Sequence, residues 1–403
     1  YYDRVAELIG LSADFTDEQL WARVGAVAPR LDESLDLFLT RTLVNRSMAH
    51  VFRSELEGGG IRTILHANAM ALVNGEGGRI AGIRVATLGG RTANVKARRI
   101  VLACGTIEIV RLLQMPMADG ALAPWGDNPW LGKCYMDHIE VTAGKVKILD
   151  KVKFGKLFDN IYLDNLKYFP KIKLSESVQR ERRLLGCQGR FEFRTSYKEH
   201  LVNLKLFVRS IMSGKMPSNI GQLPIYIIGL WKVLLPLVVR YIKSNRGFNP
   251  TDGGVDYVLT VEQLPTANSQ IRLRPELDAL GLPKVEVDWR LDGAELATMA
   301  EFADISKRVL ADCGLAELTI DERLAARDPA FLDTVLDYYH QMGGARLAAS
   351  AEEGVVDHNL RVFGSENLYV AGAAVYPSTG FGNPTYTAMA LGLRLCDHLA
   401  ERP

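Results

Sequence analysis

Two stretches at opposite ends of the chain constrain its fold more than anything between them. "VLACGTIEIVRLLQ" (101–114) and "NLYVAGAAVYPSTGFGNPTYTAMALGLRL" (367–395) each read as a short apolar strand, a glycine-bearing turn and a helix. Ligands of α/β folds lie outside the carboxyl ends of such strands, close to the helix N-termini. Two such units so far apart imply one domain interrupted by a long insertion. The sequence therefore reads as α/β, an interrupted Rossmann-like domain plus an α+β domain with an antiparallel sheet.

The second turn ends on Asn383-Pro384-Thr385. Asn suits a helix cap and Pro its first turn, because the N–H groups there lack intrahelical partners. A helix end of this kind carries partial positive charge and unpaired donors. It awaits an electron-rich group. Ahead of it lies "DYYHQMGGARL" (337–347), where His340 precedes another glycine pair.

The intervening segments follow different periods. Residues 1–56 read as helical and polar-mixed, as in "DEQLWARVGAVAPRLDESLDLFL". From Ile61 apolar and polar residues alternate, with glycine turns at 75–78 and 89–90. That pattern predicts a small antiparallel set ending in a buried strand from Ile100 to Ala103. Residues 141–200 alternate strand-like runs with lysine-rich loops. "VDYVLTVEQLP", "SQIRLRPELD" and "LPKVEVDWRL" read as strands of a second antiparallel sheet. Asp292 with Glu295 resembles a capping box opening a helix that runs to about Asp312. The domains fall at 50–140, 141–329 and 330–403, the first and last forming one unit.

Bulk properties exclude several functions. A net charge of +1 argues against nucleic acid as a partner, and 48% hydrophobic residues argue for a substantial core. The five cysteines show no CxxC or Cys/His spacing, so no metal site is expected and a reducing, cytoplasmic setting is. No signal peptide opens the chain. It begins on Tyr1, which reads as a fragment or processed product.

"ARRIVLACGTIEIVRLLQ", "LGKCYMDHIEV" and the tail from "YYHQMGGARL" to "GLRL" resemble the glucose–methanol–choline (GMC) oxidoreductases, from about residue 50 onward. The pairing of His340 with Asn383 is most similar to the pyranose-oxidase-like sugar oxidoreductases within that family. The resemblance implies FAD as cofactor and oxidation of a secondary alcohol of a sugar or glycoside to the keto form. It implies His340 as the base that takes the hydroxyl proton while hydride passes to flavin N5. An imidazole suits that role because its ordinary pKa lies near working pH. Asn383 orients the same hydroxyl, unless its side chain caps its own helix. The helix at Asn383, Pro384 and Thr385 aims its positive end at the flavin pyrimidine edge. Ala69 aligns with an adenine contact, Cys104 and Gly105 with the turn over the ADP part, and Gly372 and Ala373 with the pyrophosphate and ribityl chain.

The family's Gly-x-Gly-x-x-Gly turn, which precedes all these elements, is not among the 403 residues. "GEGGRIAG" reads as a hairpin turn instead. The chain is expected to be a family member without its N-terminal FAD-binding segment. Two rival readings follow: a choline or aliphatic-alcohol dehydrogenase, more often with a second His at the Asn383 position, and a non-catalytic binding subunit. His50, His66, His200, His358 and His398 read as surface or core residues. His138 stands evenly between a structural place and one beside the isoalloxazine. Cys104 reads as a small turn residue, and Arg346 and Glu108 as packing or ion-pair residues.

One segment stands outside the family pattern. "LPIYIIGLWKVLLPLVVRYI" (223–242) has the length of a membrane span but carries Lys232, Arg240 and a central Pro236. A crossing would also separate the 104 turn from His340. From His200 to Thr251 there is no Asp or Glu, while Lys205, Arg209, Lys215, Lys232, Arg240, Lys243 and Arg246 are present. A lid or oligomer arm buried against protein is the simpler account. The alternative is a peripheral membrane contact.

Overall fold

Strand Val255–Val261, VDYVLTV, is buried at every position because it runs through the middle of the large antiparallel sheet. Across that sheet the order is Leu35–Leu43, Leu166–Leu174, Cys187–Phe193, Val255–Val261, Ile139–Ile148 and Ala316–Ile320. Leu336–Asp337 also pairs with Ile139–Ile148, the strand just before the turn to His340. The computed structural model describes all residues except 12–16, 25–30, 44–46, 165, 213–220, 222 and 402–403.

Helix Ala294–Asp312 packs on this sheet through Met299, Phe302 and Ala303 against Tyr257, Leu259 and Val141. Each large side chain buried there contributes about 1.5–3 kcal/mol. The Tyr257 hydroxyl donates to Ser306 Oγ at 2.7 Å, which satisfies the polar atom that burial would otherwise penalise. The helix begins at Gly293 with φ +97, and the acidic pair works one residue out of the expected register. Asp292 accepts from Ala294 N and Glu295 from Gly293 N. Glu295 also accepts from Leu264 N, so the cap ties the helix to the end of the central strand.

A second core surrounds the motif turns. Strands Ile100–Leu102 and Leu368–Val370 pair in parallel, as adjacent α/β units do. Helices Thr106–Gln114 and Pro384–Ala400 pack beside them through Ile109, Leu113 and Leu395. The expected antiparallel set is the meander Asn68–Asn74, Ile80–Ala86 and Thr92–Lys96, anchored in the same core by Leu72 and Ile80. The parallel sheet has only two strands, and among the described residues no strand pairs the outer edge of Ile100–Leu102. The chain is thus the expected mixture of an α/β part and an antiparallel-sheet part.

Two segments differ from the reading of the sequence. Leu35–Leu43, read as helical, is the edge strand of the large sheet, in register Leu35↔Leu174 to Leu43↔Leu166. Its Leu35, Leu37 and Leu39 recur at period two, and the long pairing to Leu166–Leu174 outweighs local helix propensity. Gln270–Leu277 and Pro283–Asp288 leave the large sheet to form their own two-stranded ribbon. Pro265 has no N–H for a ladder. Beyond it, Ile271 packs on Val110 and Tyr135 of the α/β part, and Arg111 pairs with Asp278 at 2.7 Å.

Candidate active site

Parallel register sets Val370 opposite Leu102, and Ala371 N donates to Leu102 O at 2.9 Å. The two motif turns therefore lie side by side at the carboxyl ends of their strands. Gly105, with φ +87, starts helix Thr106–Gln114 without any side-chain cap. A Cβ there meets nothing within 4 Å, so backbone conformation and not crowding calls for glycine. Gly372, at φ +139, leads into the single turn Ala373–Val375. Ala69 lies exposed on the strand of the meander that carries Leu72. Partial burial, with Glu108 nearby, holds the Cys104 thiol above its ordinary pKa, the opposite of an activated nucleophile.

The His340 segment is threaded between these turns and the large sheet. Gly343, Ala345 and Leu347 donate backbone bonds to Ala373, Ala374 and Val375, and Met342 exchanges bonds with Met136. Thr106, in the first turn of its helix, donates from Oγ1 to Gln341 O at 2.7 Å. Gly343 has φ +78, and a Cβ there would collide with the Cys134 carbonyl. Together these bonds hold the histidine's backbone between the motif turns and the Met136 segment.

The polar centre consists of Asp137, His138 and His340. The Nδ1 atoms of the two histidines are 2.9 Å apart, with the rings edge-to-face. Oδ1 of Asp137 accepts from the backbone N–H of His138, Tyr338 and His340. Gln263, fully buried, accepts from Asp137 N and from the Trp289 indole, and its backbone is bonded to Thr379 in the loop before Asn383. Burial pushes His138 down to about 4, with His340 a further cause, and raises Asp137 to about 6 despite its three N–H donors. His340 is also lowered, by burial and then by the charge of Lys171. Both imidazoles are therefore neutral near pH 7.

One proton is shared between two facing Nδ1 atoms, so one ring donates and the other accepts. The remaining nitrogen of His138, Nε2, is buried without a full hydrogen bond, while the Gly380 carbonyl favours a proton on that ring. With the proton of His138 on Nε2, His340 donates from Nδ1 and keeps a lone pair on Nε2; with it on Nδ1, the two roles reverse.

Asn383 caps helix Pro384–Ala400 through its backbone only; its side chain makes no capping bond. The carboxamide instead lines a cavity of about 980 Å³, together with Thr385, Lys171, Arg190 and Tyr338. Arg190 pairs with Glu140 at 2.6 Å and lies over the Tyr338 ring. Buried Lys171 is brought down to about 8 by desolvation, then by Arg190. His340 does not line the cavity. It stands behind Tyr338, with ring centroids 4.7 Å apart.

The structure thus gathers Cys104, Gly105, Gly372 and Ala373 at one sheet end, and Asn383 and Thr385 at the cavity, with Pro384 buried between. Ala69 stays on the meander. Sequence reasoning missed Asp137, Gln263, Lys171 and Arg190. Asp137 directly precedes His138, a readable signal; nothing in chain order links the other three to His340. His50, His66 and His358 are exposed. Arg346 stacks over Trp130, and Glu108 pairs with Arg111, as packing and ion-pair residues do. Among the described residues no cluster of His, Cys, Asp or Glu could hold a metal.

Glycine turns at the end of a parallel strand pair, joined to an antiparallel sheet by a pair of histidines, define a chain of two parts, one α/β and one antiparallel. Residues 265–392 match the family model described as GMC oxidoreductase. The resemblance read from the sequence is borne out, and over these residues the chain is similar to the GMC oxidoreductases. The chain is 28% identical over 130 residues to paromamine 6'-oxidase of Streptomyces fradiae, covering 32% of this chain and 22% of that protein. It is 30% identical over 148 residues to the fructose dehydrogenase large subunit of Gluconobacter japonicus, covering 36% and 25%. The solved pyridoxine 4-oxidase from Mesorbium loti shares the fold, with a TM-score of 0.52 at 16% identity over 84% of this chain and 58% of that one. The matches thus span less than two thirds of each of these proteins.

Proposed function

We propose that the protein is an FAD-dependent oxidoreductase that converts a secondary alcohol of a sugar or glycoside to a ketone. The observation that carries this reading is the Nδ1–Nδ1 contact of His138 and His340 at 2.9 Å, in which His340 keeps Nε2 as an acceptor when it is the ring that donates. The uncapped carboxamide of Asn383, on a cavity rich in hydrogen-bonding side chains, supports a polyhydroxylated substrate.

The cofactor fits the residues present. Gly105 and Gly372 bring bare backbone to one sheet end, and the helix at Thr106 starts without a side-chain cap, so its first N–H groups are available to an anionic diphosphate. When bound, FAD supplies the acceptor for the hydride that leaves the alcohol carbon. His340, which stands behind Tyr338 and does not line the cavity, would act as base on a hydroxyl that reaches past that ring, the charge it gains being shared across the Nδ1–Nδ1 contact with His138. Asn383 holds the hydroxyl oxygen, and Arg190 and Lys171 bind neighbouring hydroxyls. The similarity to a paromamine oxidase and a fructose dehydrogenase is the further support for a sugar-like substrate.

A visible absorption scan tests this. Purified protein is expected to carry flavin bands that bleach without oxygen on adding the right sugar. The His340→Ala protein should keep the bands and fail to bleach; loss of flavin from that variant would instead make His340 structural. Unbleached flavin across sugars, choline and simple alcohols would leave a binding subunit.

A further inference from the structure

Helix Leu223–Ser244 is 22 residues long, contains Pro236, and presents an apolar stripe to solvent. Leu235 is 68% exposed, Val238 46%, Val239 40% and Ile242 75%. These positions follow the i, i+3, i+4, i+7 spacing of one helix face. A helix that simply covered its own protein would turn that face inward. Here Leu230 and Val233, on the opposite side, are buried. Among the described residues no helix is long and apolar enough to cross a bilayer.

The surroundings are cationic. No Asp or Glu occurs between His200 and Thr251. Of the cations named from the sequence, Lys215 lies outside the described residues, as do the side chains of Lys205, Arg209 and Lys232. Lys243 flanks the stripe and is exposed, as are Lys151 and Lys156 of the neighbouring helix Lys151–Phe158. Under the last turns of the long helix, between it and Lys151–Phe158, lies a cavity of about 610 Å³. Its charged lining is Lys151, Lys156, Arg240 and Arg246 against one carboxylate, Asp159. Arg240 pairs with Asp159 at 2.7 Å. Arg246 is only 3% exposed, bonds the Asp159 carbonyl through Nη1 at 3.3 Å, and lies over the Trp21 ring. Four cations facing one anion leave a net positive cavity.

We propose that this face docks on the surface of an anionic lipid bilayer. Leu235, Val238, Val239 and Ile242 enter the boundary between headgroups and acyl chains. Lys243, Lys151 and Lys156 meet the anionic headgroups, and the cavity beneath accommodates a headgroup phosphate. An apolar stripe alone would fit a second copy of the chain equally well. The acid-free run and the positive cavity favour a surface of one negative sign, and like charges would oppose self-association. The inference does not depend on the proposed redox chemistry.

Flotation with vesicles tests it. The full chain should float with phosphatidylcholine vesicles containing phosphatidylglycerol, and not with phosphatidylcholine alone. Raising salt should weaken binding, because exposed charges are screened. Replacing both Lys151 and Lys156 by Glu should cost at least about fivefold per lysine in vesicle affinity. Leu235→Glu with Ile242→Glu should abolish flotation; both residues are exposed, so the thermal unfolding midpoint should hold. Absence of binding at low salt overturns the proposal, and so does binding that the two-residue variant leaves intact. Light scattering separates the rival occupant. A dimer that Leu235→Glu with Ile242→Glu dissociates, without any vesicle binding, assigns the face to a second copy instead.

Discussion

The histidine pair and the cavity wall in front of it are neighbours that treat polar groups in opposite ways. Asp137, His138 and Gln263 are themselves fully buried, and protons there are fixed by burial and by bonds to backbone. At the wall, Asn383 and Thr385 are exposed and Arg190 and Tyr338 half-buried, so water and ligand can exchange. Full burial of His138 and partial burial of His340 favour the neutral form of both imidazoles, as a base requires. Access at the second leaves donors and acceptors unspent for a substrate. The difference separates chemistry from recognition, and substitutions on either side should fail in different kinetic constants.

The largest effect is expected at the buried side. His340→Ala should lower kcat by about 10²- to 10⁴-fold with little change in KM, read by stopped-flow bleaching of the flavin. An equal rise in KM would mean that His340 belongs with the wall. Gly343→Ala should follow, since φ +78 and the collision with the Cys134 carbonyl disfavour any Cβ. We expect a loss of about 3 kcal/mol in urea unfolding. A variant as stable as the parent would show that the threading between the two halves tolerates slack.

Asn383→Ala comes next and discriminates best. A capping asparagine would cost about 1 kcal/mol of stability when removed. Here the side chain makes no capping bond, so the melting temperature should stay and kcat/KM should fall by about tenfold, the value of one hydrogen bond. The reverse result, an unchanged rate with a lower melting temperature, would return Asn383 to its helix.

Much of this arrangement was legible because local signals carried it. The turns at Gly105 and Gly372, the start at Asn383-Pro384 and the meander from Asn68 are set by residues adjacent in sequence, where turn and cap chemistry operates. The edge strand Leu35–Leu43 was not legible, because its partner Leu166–Leu174 is remote and its composition is ambiguous between helix and strand. The same holds for the site. His340 and Asn383 stand beside glycine turns, but Gln263 and Lys171 reach the histidines only through the register of the large sheet. Which way the stripe at Leu235 to Ile242 faces was equally hidden, since periodicity marks an apolar face without saying whether anything covers it.

The smallest effect concerns protons, and its sign can be worked out. Burial and Lys171 both lower the His340 pKa, so the acid limb of kcat/KM should lie below 6.5, the ordinary value. Lys171→Met removes a positive charge, which should move that limb to higher pH while leaving kcat near its plateau at pH 8. A limb above 6.5 in the parent, or one that Lys171→Met does not move, would show that the wall and the histidines are electrostatically separate. Stability behaves differently. Asp137, raised from 3.8 to about 6, contributes stability that is complete below 3.8 and lost as pH rises through about 6. His138, lowered from 6.5 to about 4, contributes stability that is present above 6.5 and lost as pH falls through about 4. Between about 4 and 6 the two oppose each other, so the melting temperature should vary little with pH there. His138→Phe leaves the aspartate unopposed, and the melting temperature of that variant should fall as pH rises from 4 to 6.5; a flat profile in the variant would mean that Asp137 titrates normally and that water reaches the centre.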